Sequence, residues 1–429
     1  MLPILKRVLF VLGALLVYRF GTYVTIPGID LIVLKKVADD ASAKGLLGVF
    51  NMFTGGALSR MSIFGLNIMP YITASIVMQL LSAIVPYLSD MKKEGGETGR
   101  KKIASYTKYL ALILAFFQAY GLVSGAEQIS IDNANIVVET GFQFRLIGTI
   151  SMVGGTVFMI WLSDQITKHG IGNGSSMIIF SGILAGLIPS INSLFSMIKV
   201  NAISIFSLLC FVFFTALLLF IIVFFERAYR PITVTYPRKQ IGNKIYSGDS
   251  THIPLKINTS GVLAPIFASS VLIFPSTIIN LLSSSTNPII NWLLQNFGYG
   301  KPLYITLYLI FIVFFSFFYT SVVFNPTDTA NNLKRNGAVI PGTRPGEHTA
   351  KYIESILIKL NVIGATYISF VCIVPEMLGS KYSLPFYLGG TSLLIVVNVS
   401  IELFQYIQNY LITMQYSNLI KKGRAVIRR

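Results

Sequence analysis

Long apolar runs alternate with short polar and basic stretches along the whole chain. The runs fall at roughly 8–26, 63–88, 106–124, 146–163, 176–192, 203–225, 262–282, 303–324, 353–375 and 386–412. A helix crossing hydrocarbon needs about 20 consecutive apolar residues, so the pattern predicts about ten transmembrane helices. One stretch breaks it. Residues Phe50–Ser62, FNMFTGGALSRMS, are too few to span and carry Thr54, the Gly55-Gly56 pair, Ser59, Arg60 and Ser62. A half-polar segment leading into a full span rests on the membrane surface or sits inside a protein-walled cavity, and pattern alone favours the surface.

The polar stretches hold two long loops, at about 227–260 and 324–352. In the first, β-branched and polar residues alternate around Ile232–Tyr236 and again at Lys244–Tyr246, which predicts a short hairpin. The second has turn chemistry at Asn325-Pro326 and Pro341-Gly342, and Arg344-Pro345-Gly346 places an arginine at a bend. In the fifth run, Gly182 and Gly186 form a small-xxx-small face suited to close helix contact, with plain helix flexibility the alternative reading.

Composition sharpens the class. The chain has 429 residues, 53% hydrophobic and 12% charged, against about 25% charged in soluble chains. Net charge is +17, and about 25 of the 34 basic residues fall in alternate loops and at the two ends. Basic residues stay on the cytoplasmic side, so both termini are expected there. The first run continues through Val24 without an Ala-x-Ala-like site, so no cleavable signal peptide is expected. Five helices before about residue 197 and five after it must run in opposite senses, because five is odd, and inverted halves commonly place a pathway at their interface. The expected fold is therefore an all-α polytopic membrane protein with halves 1–197 and 198–429.

Several chemistries find no residues to carry them. Gly300-Lys301 is followed by proline, so no phosphate-binding loop forms. His169, His252 and His348 are scattered without metal-ligand spacing, and Cys210 and Cys372 both lie in apolar runs. Neither a metal nor a cofactor is expected. Ion-coupled transporters keep ionisable residues deep in their spans. Here only Arg19, Glu226 and Glu402 approach that, and packing, snorkelling or, for Glu226, pairing with Arg227 or Arg230 accounts for them. A non-enzymatic conduit driven by outside partners fits better than a catalyst.

Six stretches then converge on one family. These are FNMFTGGALSRMSIFGLNIMPYITASIVMQLL (50–81), EGGETGRKKI (94–103), HGIGNGSSMIIF (169–180), STHIPLKIN (250–258), VFNPTDTANNLKRNGAVIPGTRPGEHTAKYI (323–353) and PFYLGGTSLLIVV (385–397). In these the chain resembles the SecY family, the channel subunit of the general protein-secretion translocon, over essentially its whole length. The resemblance implies a clamshell of two five-helix halves around an hourglass pore that opens sideways to lipid. It makes Phe50, Asn51, Met52, Phe53, Thr54, Gly55, Gly56, Ala57, Leu58, Ser59 and Arg60 a plug, reversing the surface reading. It implies a constriction of Ile68, Ile72, Ile179, Ile266 and Ile395, acting as a dry, deformable gasket.

By the same resemblance, Gln79, Ser269 and Ser270 belong to the lateral gate, where ordinary interhelical hydrogen bonds are the alternative reading. Arg344, with Lys334 and Arg335, matches the loop that contacts the SecA motor or the ribosome, and Arg238, Lys239 and Lys244 sit on the other docking loop. Charge that only fixes topology is the alternative for each. Two positions depart from the family pattern. Ser175 stands where a further ring aliphatic is common, implying a smaller or wetter ring, and Pro265 sits one place late, which leaves the kink before Ile266 open. The implied partners are SecE-type and SecG-type subunits, SecA, the ribosome, signal peptides, nascent secretory chains and anionic lipids, at a bacterial cytoplasmic membrane. An inverted-repeat small-solute transporter is the alternative, and a membrane scaffold a third reading.

Overall fold

A computed structural model of the chain describes residues 2–30, 33–34, 54–93, 95–127, 130–131, 134–199, 204–236, 239–241, 244–246, 250–281, 292, 296–297, 301–382 and 389–427. Each of the ten apolar runs contains a helix. Helix α1 is Leu2–Gly21, and α2, Met69–Ile84, starts six residues after its apolar run begins. Residues 63–68 form turns instead, with Asn67 in the left-handed region at φ 51°, which stops helix propagation. Nor does the run cross as one rod to residue 88. Pro86 forces Val85 out of the helical region, to φ −89° and ψ 114°, and the chain turns by 102° into α3, Pro86–Lys93.

Helix α4, Gly96–Glu127, extends well before its apolar run, and Glu97 and Lys101 pair at 2.8 Å across one exposed turn of the extension. The strands β1, Ser130–Ile131, and β2, Ala134–Asn135, form a minimal hairpin. Helices α5, Phe142–His169, α6, Gly174–Lys199, and α7, Ile205–Arg227, follow. Helix α7 buries Leu218 and Ile222 but leaves Phe206, Phe213 and Phe220 exposed, as a lipid-facing surface requires.

The hairpin in the first long loop is longer than the sequence pattern suggests. Strand β3, Tyr229–Thr235, pairs antiparallel with β6, Ser250–Lys256, not with 244–246. Strands β4, Lys239–Ile241, and β5, Lys244–Tyr246, form a second small ladder. Helix α8 is Leu263–Leu281, α9 Pro302–Val323, α11 Glu347–Tyr382 and α12 Gly390–Ile427. Helix α10, Pro326–Arg335, lies where turns were expected. Asn325 Oδ1 accepts from the backbone N–H of Thr327 at 3.0 Å and Asp328 at 3.4 Å. Pro326 needs no N–H in the first turn, and Asp328 and Lys334-Arg335 suit the two ends of the dipole.

Among the described residues, seven helices are long and apolar enough to cross a membrane, eight if the bent pair α2 and α3 is one span. The packing falls into two sets. In one, α2 lies on α4, α4 on α5, α5 on α6, and α1 on α5 and α6. In the other, α8 lies on α9, α9 on α11, α11 on α12, and α7 on α11 and α12. Two seams join the sets, α6 with α12 and α2, flanked by α4, with α8. One apolar core runs through both.

Candidate pore constriction, plug and docking face

The segment leading into α2 is buried, not laid on a surface. Of the stretch read as a plug, Phe50, Asn51, Met52 and Phe53 lie outside the described residues. Thr54–Ser62 form successive turns, with Gly55 and Gly56 at φ +64° and +83°, a backbone that disfavours any side chain. Thr54, Ala57, Leu58 and Ser62 are buried. The segment is held by polar bonds to the end of α1. The Tyr18 hydroxyl donates to the Thr54 carbonyl at 3.0 Å, and Arg19 Nη1 donates to the Gly55 carbonyl at 2.7 Å. Arg60 Nη2 reaches the same carbonyl at 3.0 Å, while its Nε donates to the Thr22 carbonyl at 3.1 Å.

Both guanidinium groups lie against the Tyr23 ring, at 5.1 Å for Arg19 and 4.3 Å for Arg60. Backbone bonds from Ile26 to Met61 and from Ile63 to Val24 complete the attachment. Sequence reasoning read Arg19 as packing or snorkelling. Its real task, a hydrogen bond to Gly55 36 residues away in sequence, leaves no local signature. The small-xxx-small face also serves this segment. A Cβ on Gly55 would stand 3.1 Å from Gly182 Cα, whereas one on Gly186 would meet nothing within 4 Å.

Met69, Ile179, Ile266, Ser269 and Ile395 line a gap with no room for a water molecule. They come from α2, α6, α8 and α12, the helices at the two seams. Ile68 and Ile72 are buried in the same apolar cluster but do not line that gap. Ile68 is the residue just before α2, at φ −95° and ψ 4°, and Met69 takes the first helical position. Ser175 does not wet this gap. Its hydroxyl bonds that of Ser163 on α5 at 2.9 Å. Pro265 sits in the first turn of α8, where a missing N–H costs no helical bond, so it imposes no kink before Ile266.

The three polar gate residues bond within their own helices. Gln79 Nε2 donates to Ser75 Oγ at 3.3 Å, and Ser269 and Ser270 donate to the Ile266 carbonyl at 2.9 and 2.8 Å. No interhelical bond from them crosses the α2/α8 seam among the described contacts. The seam is therefore held by apolar contact, which has no directional bond to break. Sequence reasoning also missed Glu376, a buried acid on α11 one position past the end assigned to its apolar run.

The two long loops form one body. Thr235 and Val339 exchange both backbone hydrogen bonds at 2.9 Å, and Thr235 Oγ1 adds a third at 3.1 Å. Ile232, Val234 and Leu255 of the hairpin share a core with Ala338, Ile340, Ile353 and Leu357. Lys334, Arg335 and Arg344 are exposed on this body. The turn bearing Arg344 is fixed by Thr349 Oγ1 donating to its carbonyl at 2.8 Å. Lys239 and Lys244 lie in β4 and β5, and Arg238 lies outside the described residues.

A multi-helix membrane protein whose two helix sets close on a dry apolar gap, under a turn-rich cap, has the construction of a shut channel. A family model described as SecY matches residues 62–404. Protein translocase subunit SecY of Rickettsia felis is 48% identical over 419 residues, covering 98% of this chain and 96% of the relative. A solved structure described as that of a protein-conducting channel aligns with a TM-score of 0.64 at 16% identity, over 95% of this chain and 92% of that one. Sec61 in a canine ribosome–channel complex aligns with a TM-score of 0.61 at 15% identity, over the same shares. The chain belongs to the SecY family.

Proposed function

We propose that this chain is the pore-forming subunit of a protein translocase, passing unfolded secretory polypeptides across a membrane and releasing membrane segments sideways between α2 and α8. The meeting of Met69, Ile179, Ile266, Ser269 and Ile395 in a gap too narrow for water carries this reading. Flexible apolar side chains seal against ions at rest and deform around a chain in transit. Ile68 and Ile72 back this ring, and Thr54–Arg60 close the funnel beyond it. The likeness to a channel bound to a ribosome supports docking on the cytoplasmic body through Lys334, Arg335, Arg344 and the hairpin lysines. SecA, where it is the motor, would use the same face, and SecE-type and SecG-type subunits would brace the halves 1–197 and 198–429. A bacterial cytoplasmic membrane, with both termini inside, accords with the loop charges. The small-solute transporter finds no support, since no charged side chain lines the gap.

Single-channel recording in planar bilayers tests the reading. The intact chain is expected to be silent and a deletion of Phe50–Ser62 to pass large, flickering, poorly selective currents. Silence from both, or movement of one solute without current, overturns it.

A further inference from the structure

Two positive charges meet at the plug with no negative charge to answer them. Elsewhere, charges in or beside the spans find a partner. Lys108 on α4 pairs with Asp164 on α5, and Arg145 on α5 pairs with Glu127 at 2.6 Å. Glu226, at the end of α7, accepts from Asn258 Nδ2 at 2.6 Å, in place of the pairing with Arg227 or Arg230 expected from sequence. Arg19, in the last turn of α1, and Arg60, on the plug, form no ion pair among the described residues. Both are half-buried. Their guanidinium groups converge, because Arg19 Nη1 and Arg60 Nη2 donate to one oxygen, the Gly55 carbonyl, and both rest against one ring, Tyr23.

Like charges held this close repel, and a half-buried site screens them less than open water does. The groups facing them are neutral. Arg19 bonds the Gly55 carbonyl and, through Nη2, the Tyr23 hydroxyl at 3.1 Å, while Arg60 bonds the carbonyls of Gly55 and Thr22. A guanidinium has five N–H donors, so the protein engages fewer than half of the donors gathered here. Tyr23 is itself exposed, so the pair is reached from outside the fold. An anion between two guanidinium groups removes the repulsion and takes up free donors in one step. Arg19 belongs to the seat and Arg60 to the plug, so the two stand together only while the plug is seated. A ligand that binds one of two states favours that state.

We propose that Arg19 and Arg60 jointly bind an anion, a free halide or the phosphate of an anionic lipid, and that the bound anion holds the plug seated. This rests on the plug reading above. Leaving the seat parts the two charges and dissolves the site, so anion binding and seating stabilise each other.

The test uses the full-length chain in lipid nanodiscs, with Leu58→Cys, a position buried while the plug is seated, and with Cys210→Ser. Labelling by a dilute maleimide reads the unseated fraction as long as reseating outpaces the reagent. Chloride replaces gluconate at constant ionic strength, in phosphatidylcholine alone and with phosphatidylglycerol added. In phosphatidylcholine, a rise of about thirtyfold in chloride is expected to slow labelling about fivefold or more. Slowing by phosphatidylglycerol with no response to chloride assigns the site to the lipid phosphate instead. Tyr18→Phe, which loses the bond to the Thr54 carbonyl but no charge, is the control. It is expected to label faster and to keep the same proportional response. Arg19→Gln and Arg60→Gln are expected to label faster with no response to either anion. A native chain that ignores both anions, while Tyr18→Phe labels faster, overturns the inference alone, as does a response that survives in both glutamine variants. Labelling that is equal in all variants and conditions overturns the plug reading with it.

Discussion

Replacing Gly55 with alanine isolates what seats the plug. Two costs arise at once. Gly55 has φ +64°, and the new Cβ would stand 3.1 Å from Gly182 Cα and 3.2 Å from the Gly182 carbonyl oxygen. The left-handed conformation costs an L-residue about 1–2 kcal/mol. Because the opposing atoms are backbone and cannot swing aside, overpacking adds about 1–3 kcal/mol. A combined penalty near the low middle, about 3 kcal/mol, lowers the ratio of seated to unseated plug about a hundredfold, since each 1.4 kcal/mol is tenfold. Single-channel recording of the resting chain reads that ratio as open time. Gly154→Ala is the control, because a Cβ there meets nothing within 4 Å. Open time is expected to rise about a hundredfold for Gly55→Ala and to stay unchanged for the control. A folded Gly55→Ala channel as silent as the native one refutes the claim that this contact seats the plug.

Three further outcomes are expected. Ile395→Ser puts a hydroxyl in the dry gap and should raise resting ion flux in liposomes, with a stability loss of about 3 kcal/mol; an unchanged flux removes Ile395 from the seal. Val339→Pro removes the donor to Thr235 and parts the two cytoplasmic loops, so ribosome affinity in co-sedimentation should fall about fivefold for a loss of about 1 kcal/mol; full affinity shows that the loops dock separately. Pro86→Ala should let α2 run on into α3, so spin labels at Leu81 and Met91 should separate to about 15 Å along one axis, and an unchanged shorter distance assigns the bend to something other than proline.

The apolar runs made the helices legible because hydrocarbon leaves the backbone few alternatives. Boundaries failed where local stereochemistry overrode hydropathy, as at Asn67, whose left-handed backbone delays α2, and at Pro86, which ends it. The case of α10 is different. Its start and stop signals, Asn325, Pro326, Asp328 and Lys334-Arg335, were all present but were read as a turn because the segment is polar. The site residues were reached through the family resemblance, since an isoleucine in a spanning helix carries no local mark of the side it faces. Polar partners such as Arg19 with Gly55, or Asn258 with Glu226, join residues 36 and 32 apart, and only the fold brings them together.

The pairing of Thr235 with Val339 joins residues 104 apart. During synthesis the hairpin therefore emerges long before the strand and the helix that complete its core. At about 5–20 residues per second the wait is roughly 5 to 20 s. Through that interval Ile232, Val234 and Leu255 lack Ala338, Ile340, Ile353 and Leu357, and the turn that presents Arg344 does not yet exist. A half-made chain consequently holds an unfinished loop body, and the proposed docking face is complete only once the first turns of α11 have been made.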